Sequence, residues 1–178
     1  MLFRSPEAGA GGGGTGFGGG PAGGGTGGGE VALCPPGIER TITVARDGSG
    51  DHTTVQAAID SIPSGSTTPI RIDVRAGTYV EKLTISGRQH LCLVGEDPET
   101  TVLTYGDSAA DGIGTSDSAS TIVSANDFSA ARLTFENSSA LGEGQAVALR
   151  ADGQREQFYD CRFVSYQDTL YNRNGTQY

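Results

Sequence analysis

Two stretches of this chain repeat each other at a spacing that few architectures accommodate. Thr121-Ile122-Val123 through Leu133-Thr134-Phe135 and Ala146-Val147-Ala148 through Cys161-Arg162-Phe163 read as degenerate copies of one unit, offset by 24 residues at Val123/Val147 and by 28 at Phe135/Phe163. A unit this short, built from strands of a few residues, cannot bury its own apolar face and has to stack on its neighbours. The repeat therefore predicts a solenoid in which each coil lays its inward apolar residues over those of the coil before. A β-sandwich, which also combines short strands with frequent turns, is the alternative.

The rest of the chain fits either architecture. Short strand candidates follow one another over 70–74, 83–85, 91–94, 101–104, 121–124, 132–135, 146–150 and 158–163, with Gly, Asn, Asp or Ser in most gaps. Ile70-Arg71-Ile72-Asp73-Val74 alternates cleanly between apolar and polar residues. One helix is expected over 55–62, where Val55, Ala58, Ile59 and Ile62 share a helical face, Thr53-Thr54-Val55-Gln56 has the capping-box pattern, and Pro63 and Gly65 follow as stop signals.

Three ordered motifs then narrow the reading. Gly77-Thr78-Tyr79-Val80-Glu81 comes after an alternating strand. Gln145-Ala146-Val147-Ala148-Leu149-Arg150 opens a strand-like run, and Phe158-Tyr159-Asp160-Cys161-Arg162-Phe163 leads into Tyr166-Gln167-Asp168-Thr169-Leu170-Tyr171. In this order they closely resemble the pectin methylesterase (pectinesterase) family, over about residues 41–178. The resemblance implies an all-β fold, a right-handed parallel β-helix with the 55–62 helix capping its N-terminal end. The solenoid is expected to be truncated at its C-terminal end, because no cap is evident after Tyr171. The resemblance also implies an exported hydrolase that demethylates methyl-esterified homogalacturonan (pectin) to pectate and methanol in the cell wall.

Ester hydrolysis of this kind needs an attack on a carbonyl carbon, donors for the oxyanion, and a proton for the departing alcohol. Side chains supply all three, and no cofactor or metal is expected. A glutamine amide carries two N–H donors, and a carboxylic acid withdrawn from water can donate a proton near neutral pH. By resemblance, Asp168 corresponds to the general acid/base, Gln145 and Gln167 to the pair that stabilises the tetrahedral intermediate, and Thr115 to a threonine at the substrate groove, where Gln145 also contacts substrate. Tyr166 and Tyr171 offer sugar-stacking surface or simple packing. Glu81 reads as a structural residue tied by hydrogen bonds. The family's nucleophilic aspartate, in an Asp-Phe-Ile-Phe-Gly-like segment, and its arginine, in a Leu-Gly-Arg-Pro-Trp-like segment, have no counterpart here. Asp160 and Arg173 do not sit in those motifs. Activity of these 178 residues is accordingly expected to be impaired, with a non-catalytic polysaccharide-binding solenoid or a non-functional gene fragment as the other readings. Gly-x-Ser-x-Gly is absent, so the likeness does not extend to serine hydrolases.

Composition sets the remaining limits. Glycine fills 15 of the first 29 positions, and residues 1–38 read as a Gly/Pro-rich low-complexity disordered arm ahead of a partial pectinesterase-like β-helix domain over 39–178. Neither a secretory signal nor a membrane span is legible, so no membrane partner is expected. The formal net charge is -9, of which residues 1–40 carry only -1. Nucleic acid is thus an unsuitable partner, and a monomer is expected, although an uncovered last coil would be an aggregation hazard. Of the three cysteines, Cys92 and Cys161 alternate with apolar neighbours and read as small buried core residues, and the odd count leaves at least one thiol unpaired. Asn137-Ser138-Ser139 and Asn174-Gly175-Thr176 match the glycosylation acceptor pattern.

Overall fold

The computed structural model of the chain describes residues 34–174; the glycine-rich stretch up to residue 33, where most of the expected arm falls, lies outside the described residues. Strand β1 (Arg40–Val44) and helix α1 (Val55–Asp60) come first. Four triplets of strands follow: β2 (Ile70–Val74), β3 (Gly77–Val80), β4 (Leu83–Ile85); β5 (Leu91–Gly95), β6 (Thr101–Tyr105), β7 (Thr121–Val123); β8 (Ser129–Ala131), β9 (Thr134–Asn137), β10 (Leu149–Ala151); β11 (Gln157–Tyr159), β12 (Arg162–Val164), β13 (Leu170–Asn172).

The first strand of each triplet joins β1 in a sheet ordered β1-β2-β5-β8-β11. The second strands form a sheet ordered β3-β6-β9-β12 and the third a sheet ordered β4-β7-β10-β13. Every pairing is parallel. Three parallel sheets built one strand at a time from successive coils make a parallel β-helix, and the sandwich alternative is set aside.

Register explains why the sequence takes this form. In the second sheet Tyr79, Leu103, Phe135 and Phe163 are successive partners. In the first, Ile42, Ile72, Leu93, Ala130 and Phe158 are. These ladders point inward and meet along the axis, where the rings of Phe135 and Phe163 stack at 5.7 Å. Each large side chain so buried contributes about 1.5–3 kcal/mol.

The register also corrects the repeat. Thr121 pairs with Leu149 and Val123 with Ala151, while Ala130 pairs with Phe158 and Phe135 with Phe163. The coil offset is therefore 28 throughout this unit, and the Val123/Val147 alignment is four residues out. Ala146-Val147-Ala148 looked like a strand because it is buried, but it is a loop packed between the loops of adjacent coils. The candidate strands at 132–135 and 158–163 differ for a related reason. Arg132 (φ 55°) and Asp160 (φ 51°) are left-handed, and each turns the chain from the first sheet to the second. Strands β1, β3, β8 and β13 were not among the candidates.

Helix α1 is shorter than expected and is capped differently. Its N-cap is Thr54, whose hydroxyl accepts from the Ala57 amide, so the Thr53/Gln56 box is not formed. The carboxylate of Glu81 accepts from the Val55 and Gln56 amides at 2.8 and 2.9 Å, serving two of the orphan donors of the first turn. The helix buries Val55, Ala58 and Ile59 and contacts β1 and β4, the first strands of two sheets.

Cys92 is not a free core residue: it forms a disulfide with Cys34, with Cα atoms 5.6 Å apart. Leu91 and Leu93 face the axis, so Cys92 and Val94 face outward, and Cys34, Ile38 and Tyr159 cover that outer surface. Cys161 remains a free thiol, packed against the core. Asn137 cannot serve as a glycosylation acceptor in the fold, because its side chain is buried and bonded.

Candidate active site

The connections from the second sheet to the third run through residues 81–82, 106–120, 138–148 and 165–169, one above another along one corner of the solenoid. All four expected site residues fall in them. Thr115 opens a 3-10 turn, Thr115–Asp117, in the second of these loops; Gln145 lies in the third, and Gln167 and Asp168 in the fourth.

Main-chain bonds stack these loops as ladder bonds stack the strands. The Ala109 amide donates to the Gln145 carbonyl at 2.9 Å and the Ala110 amide to the Glu143 carbonyl at 3.0 Å. One coil on, the Ala146 amide donates to the Gln167 carbonyl at 3.1 Å and the Ala148 amide to the Thr169 carbonyl at 3.0 Å. Gln145 and Gln167 thereby stand in neighbouring layers of the same corner. Asp168, next to Gln167, is in the left-handed region at φ 57° and is exposed; Thr115 and Gln145 are half-buried. Among the described residues, no hydrogen bond engages the side chains of Gln145, Gln167 or Asp168, so the two amides and the carboxyl are available to a ligand.

The corner rests on residues that the sequence did not single out for this purpose. The Asn137 amide nitrogen donates to the carbonyls of Asp107, Ser118 and Val147 at 2.9, 2.9 and 3.0 Å, which links the Thr115 loop to the Gln145 loop. Ser118 adds to the link by accepting from the Val147 amide. Lys82 pairs with the Asp107 carboxylate and donates to the Asp117 carbonyl at 2.7 Å. Arg150 donates to the Ser116 carbonyl and pairs with Asp152 at 2.6 Å, and its bond to that carboxylate holds the guanidinium pKa above its ordinary value. Asn137 was visible only as a glycosylation pattern, Lys82 carried no signal beyond its charge, and Arg150 stood only at the end of the Gln145–Arg150 motif, with no role attached.

Concavity does not locate this site. A crevice of about 640 Å³ lies at the corner between the first and second sheets and includes none of the four residues. The stacked loops form an open surface rather than an enclosed cavity, so the functional groups they carry are the better guide. Among the described residues no group of three or more His, Cys, Asp or Glu side chains is arranged to hold a metal ion.

The family model described as Pectinesterase matches residues 41–178. The chain belongs to the pectinesterase family. Pectinesterase 31 of Arabidopsis thaliana is 42% identical over 150 residues, covering 78% of this chain and 47% of that protein. Among solved structures, the pectin methylesterase from carrot superposes with a TM-score of 0.75 at 33% identity, covering 80% of this chain and 44% of that one. A pectin methylesterase in complex with a hexasaccharide superposes with a TM-score of 0.68 at 36% identity, covering 73% and 44% of the two chains. This pectinesterase chain thus spans less than half the length of the curated relatives it matches. Among its described residues no helix is long and apolar enough to cross a membrane.

Proposed function

We propose that the chain contributes the acid/base and oxyanion half of a carboxylic ester hydrolase acting on methyl-esterified homogalacturonan. The observation that carries this reading is the bond from the Ala146 amide to the Gln167 carbonyl. It sets Gln145 and Gln167 in adjacent layers, beside Asp168, with all three side chains unengaged. In the reaction a nucleophilic carboxylate attacks the ester carbonyl carbon, and the amides of Gln145 and Gln167 donate to the oxyanion that forms. The C–OCH3 bond breaks as Asp168 gives its proton to the departing oxygen, releasing methanol and leaving an acyl-enzyme. Asp168, now a carboxylate, takes a proton from water, which attacks the acyl carbon and frees the uronate. Thr115 lines the groove.

Acid catalysis by a carboxyl is favoured by withdrawal from water. Asp168 is exposed, so the bound polysaccharide has to supply that cover. No segment of the 178 residues matches the family's nucleophile motif, and for that reason we expect these residues alone to hold methylated galacturonan without turning it over. The disulfide fits an oxidising compartment and supports an extracellular or cell-wall location.

The test is methanol release from highly methylated pectin by the 178-residue chain, alongside Asp168→Asn, with circular dichroism as the folding check. A folded protein that binds pectin but releases no methanol is the expected result. Methanol release that disappears in Asp168→Asn would keep the esterase reading and place the nucleophile within these residues. A folded chain that neither binds nor hydrolyses methylated pectin would sink the proposal.

A further inference from the structure

The corner between the first and second sheets, away from the candidate active site, is lined by arginines. The crevice of about 640 Å³ is bounded by Arg46, Asp47, Arg75 and Glu96, and an adjoining one of about 290 Å³ by Arg71, Asp73, Glu96 and Arg132. Arg75 and Glu96 belong to both, so the two form one trough crossing successive coils. Its acidic groups are already engaged. Asp73 accepts from Arg71 Nε at 2.6 Å, Glu96 from Arg75 Nη1 at 2.9 Å and from the Ala76 amide at 3.1 Å, and Asp47 from the Ser49 amide and hydroxyl. Arg46 and Arg132, in contrast, have no ion pair among the described residues, in a protein whose formal net charge is -9.

Both arginines are also positioned. A Cβ at Gly77 would lie 3.2 Å from Arg46 Cδ, so the missing side chain lets the Arg46 stem lie on the trough floor. A Cβ at Gly95 would lie 2.2 Å from the Arg132 carbonyl oxygen, so only glycine admits the Arg132 backbone there. Unpaired guanidinium groups one or more coils apart, on a long open trough, suit a linear polyanion whose carboxylates recur along its length.

We infer that this trough is a second binding surface, for the carboxylates of demethylated galacturonan. The identity of the polymer rests on the proposed function; the anion chemistry rests on the trough alone. Charged product held on one corner would keep the protein on the polymer while the corner carrying Gln145 and Asp168 meets segments still methylated.

The experiment measures binding of the full 178-residue chain to unmethylated polygalacturonate and to fully methylated pectin, each at low and high salt. The variants are Arg46→Gln/Arg132→Gln, the charge-reversing Arg132→Glu, and Gln145→Ala. Both arginines are exposed, and thermal unfolding checks that each variant folds. The arginine variants should weaken polygalacturonate binding about tenfold or more, leave methylated pectin unaffected, and abolish most of the salt dependence. Gln145→Ala should do the reverse. Polygalacturonate binding that is absent, or that survives both arginine variants, would overturn the second surface while leaving the active-site reading intact. Loss of methylated-pectin binding in the arginine variants would likewise overturn it, since the trough would then be no separate site.

Discussion

Cys161 shows how far local environment separates residues of one type. Cys34 and Cys92 are joined on the outer face, whereas Cys161 lies against the core, and burial pushes its thiol pKa up to about 11 from the ordinary 9.0. The thiolate is the reactive form, so native Cys161 should react with a disulfide reagent at pH 8 about a hundredfold more slowly than in the unfolded chain. The same shift sets a pH dependence. Below pH 9 the thiol is protonated in both states; between about 9 and 11 the unfolded chain releases its proton first. The contribution is therefore present in full below pH 9 and is lost as pH rises towards 11. Unfolding free energies of the protein and of Cys161→Ala, taken across that range, should converge as the pH rises. Equal labelling rates in the folded and unfolded chain would refute the buried-thiol assignment.

At the scale of elements, α1 depends on a residue far from it in sequence. Six residues are too few to hold a helix by their own propensity. Three of its first-turn amides are served by Thr54 and Glu81, the latter located just beyond β3. Glu81→Ala should cost about 1–2 kcal/mol in urea denaturation, and Glu81→Gln, which keeps one acceptor, about half as much. No loss on either substitution would show that the helix is held by its buried face alone. This dependence marks where sequence reading stopped. Glu81 was legible as a residue tied by hydrogen bonds, but its partners were not, because they belong to another coil. The Phe135/Phe163 spacing was legible because parallel strands in register repeat the inward residue. Val123/Val147 misled because a buried loop and a buried strand look alike when only hydrophobicity is read. The four candidate site residues rest on motif likeness, while Asn137, which ties the Thr115 loop to the Gln145 loop, acts through backbone carbonyls that no sequence pattern displays.

At the scale of the whole molecule, every coil is secured by the one before it, and the described structure differs at its two extremes. At the start, β1 contributes Ile42 and α1 contributes Val55 and Ile59 to the core, all of them fully buried. In the coil of β11, β12 and β13, Phe158 and Phe163 are only partly buried and Leu170 is 48% exposed. Strain on the stack is thus resisted best near the first coils, and the Cys34–Cys92 bond adds to that resistance by fastening the segment before β1 to the outer face of β5. The bond closes a loop of 58 residues in sequence, for which chain entropy alone gives a stabilisation of about 4 kcal/mol as an upper figure. Cys34→Ser should therefore lower the urea midpoint markedly, and reducing agent should lower that of the unmodified protein to the same value. Cys161→Ser, which leaves the bond intact, should not become sensitive to reductant in this way. The loss should begin in the first sheet, since removal of the bond frees Cys34 and Ile38 from Cys92, Val94 and Ala131. Hydrogen exchange would show this as faster opening of β2, β5 and β8 than of the Phe135 and Phe163 strands. An unchanged midpoint in Cys34→Ser would mean that the parallel ladders hold the first coils without the covalent tie.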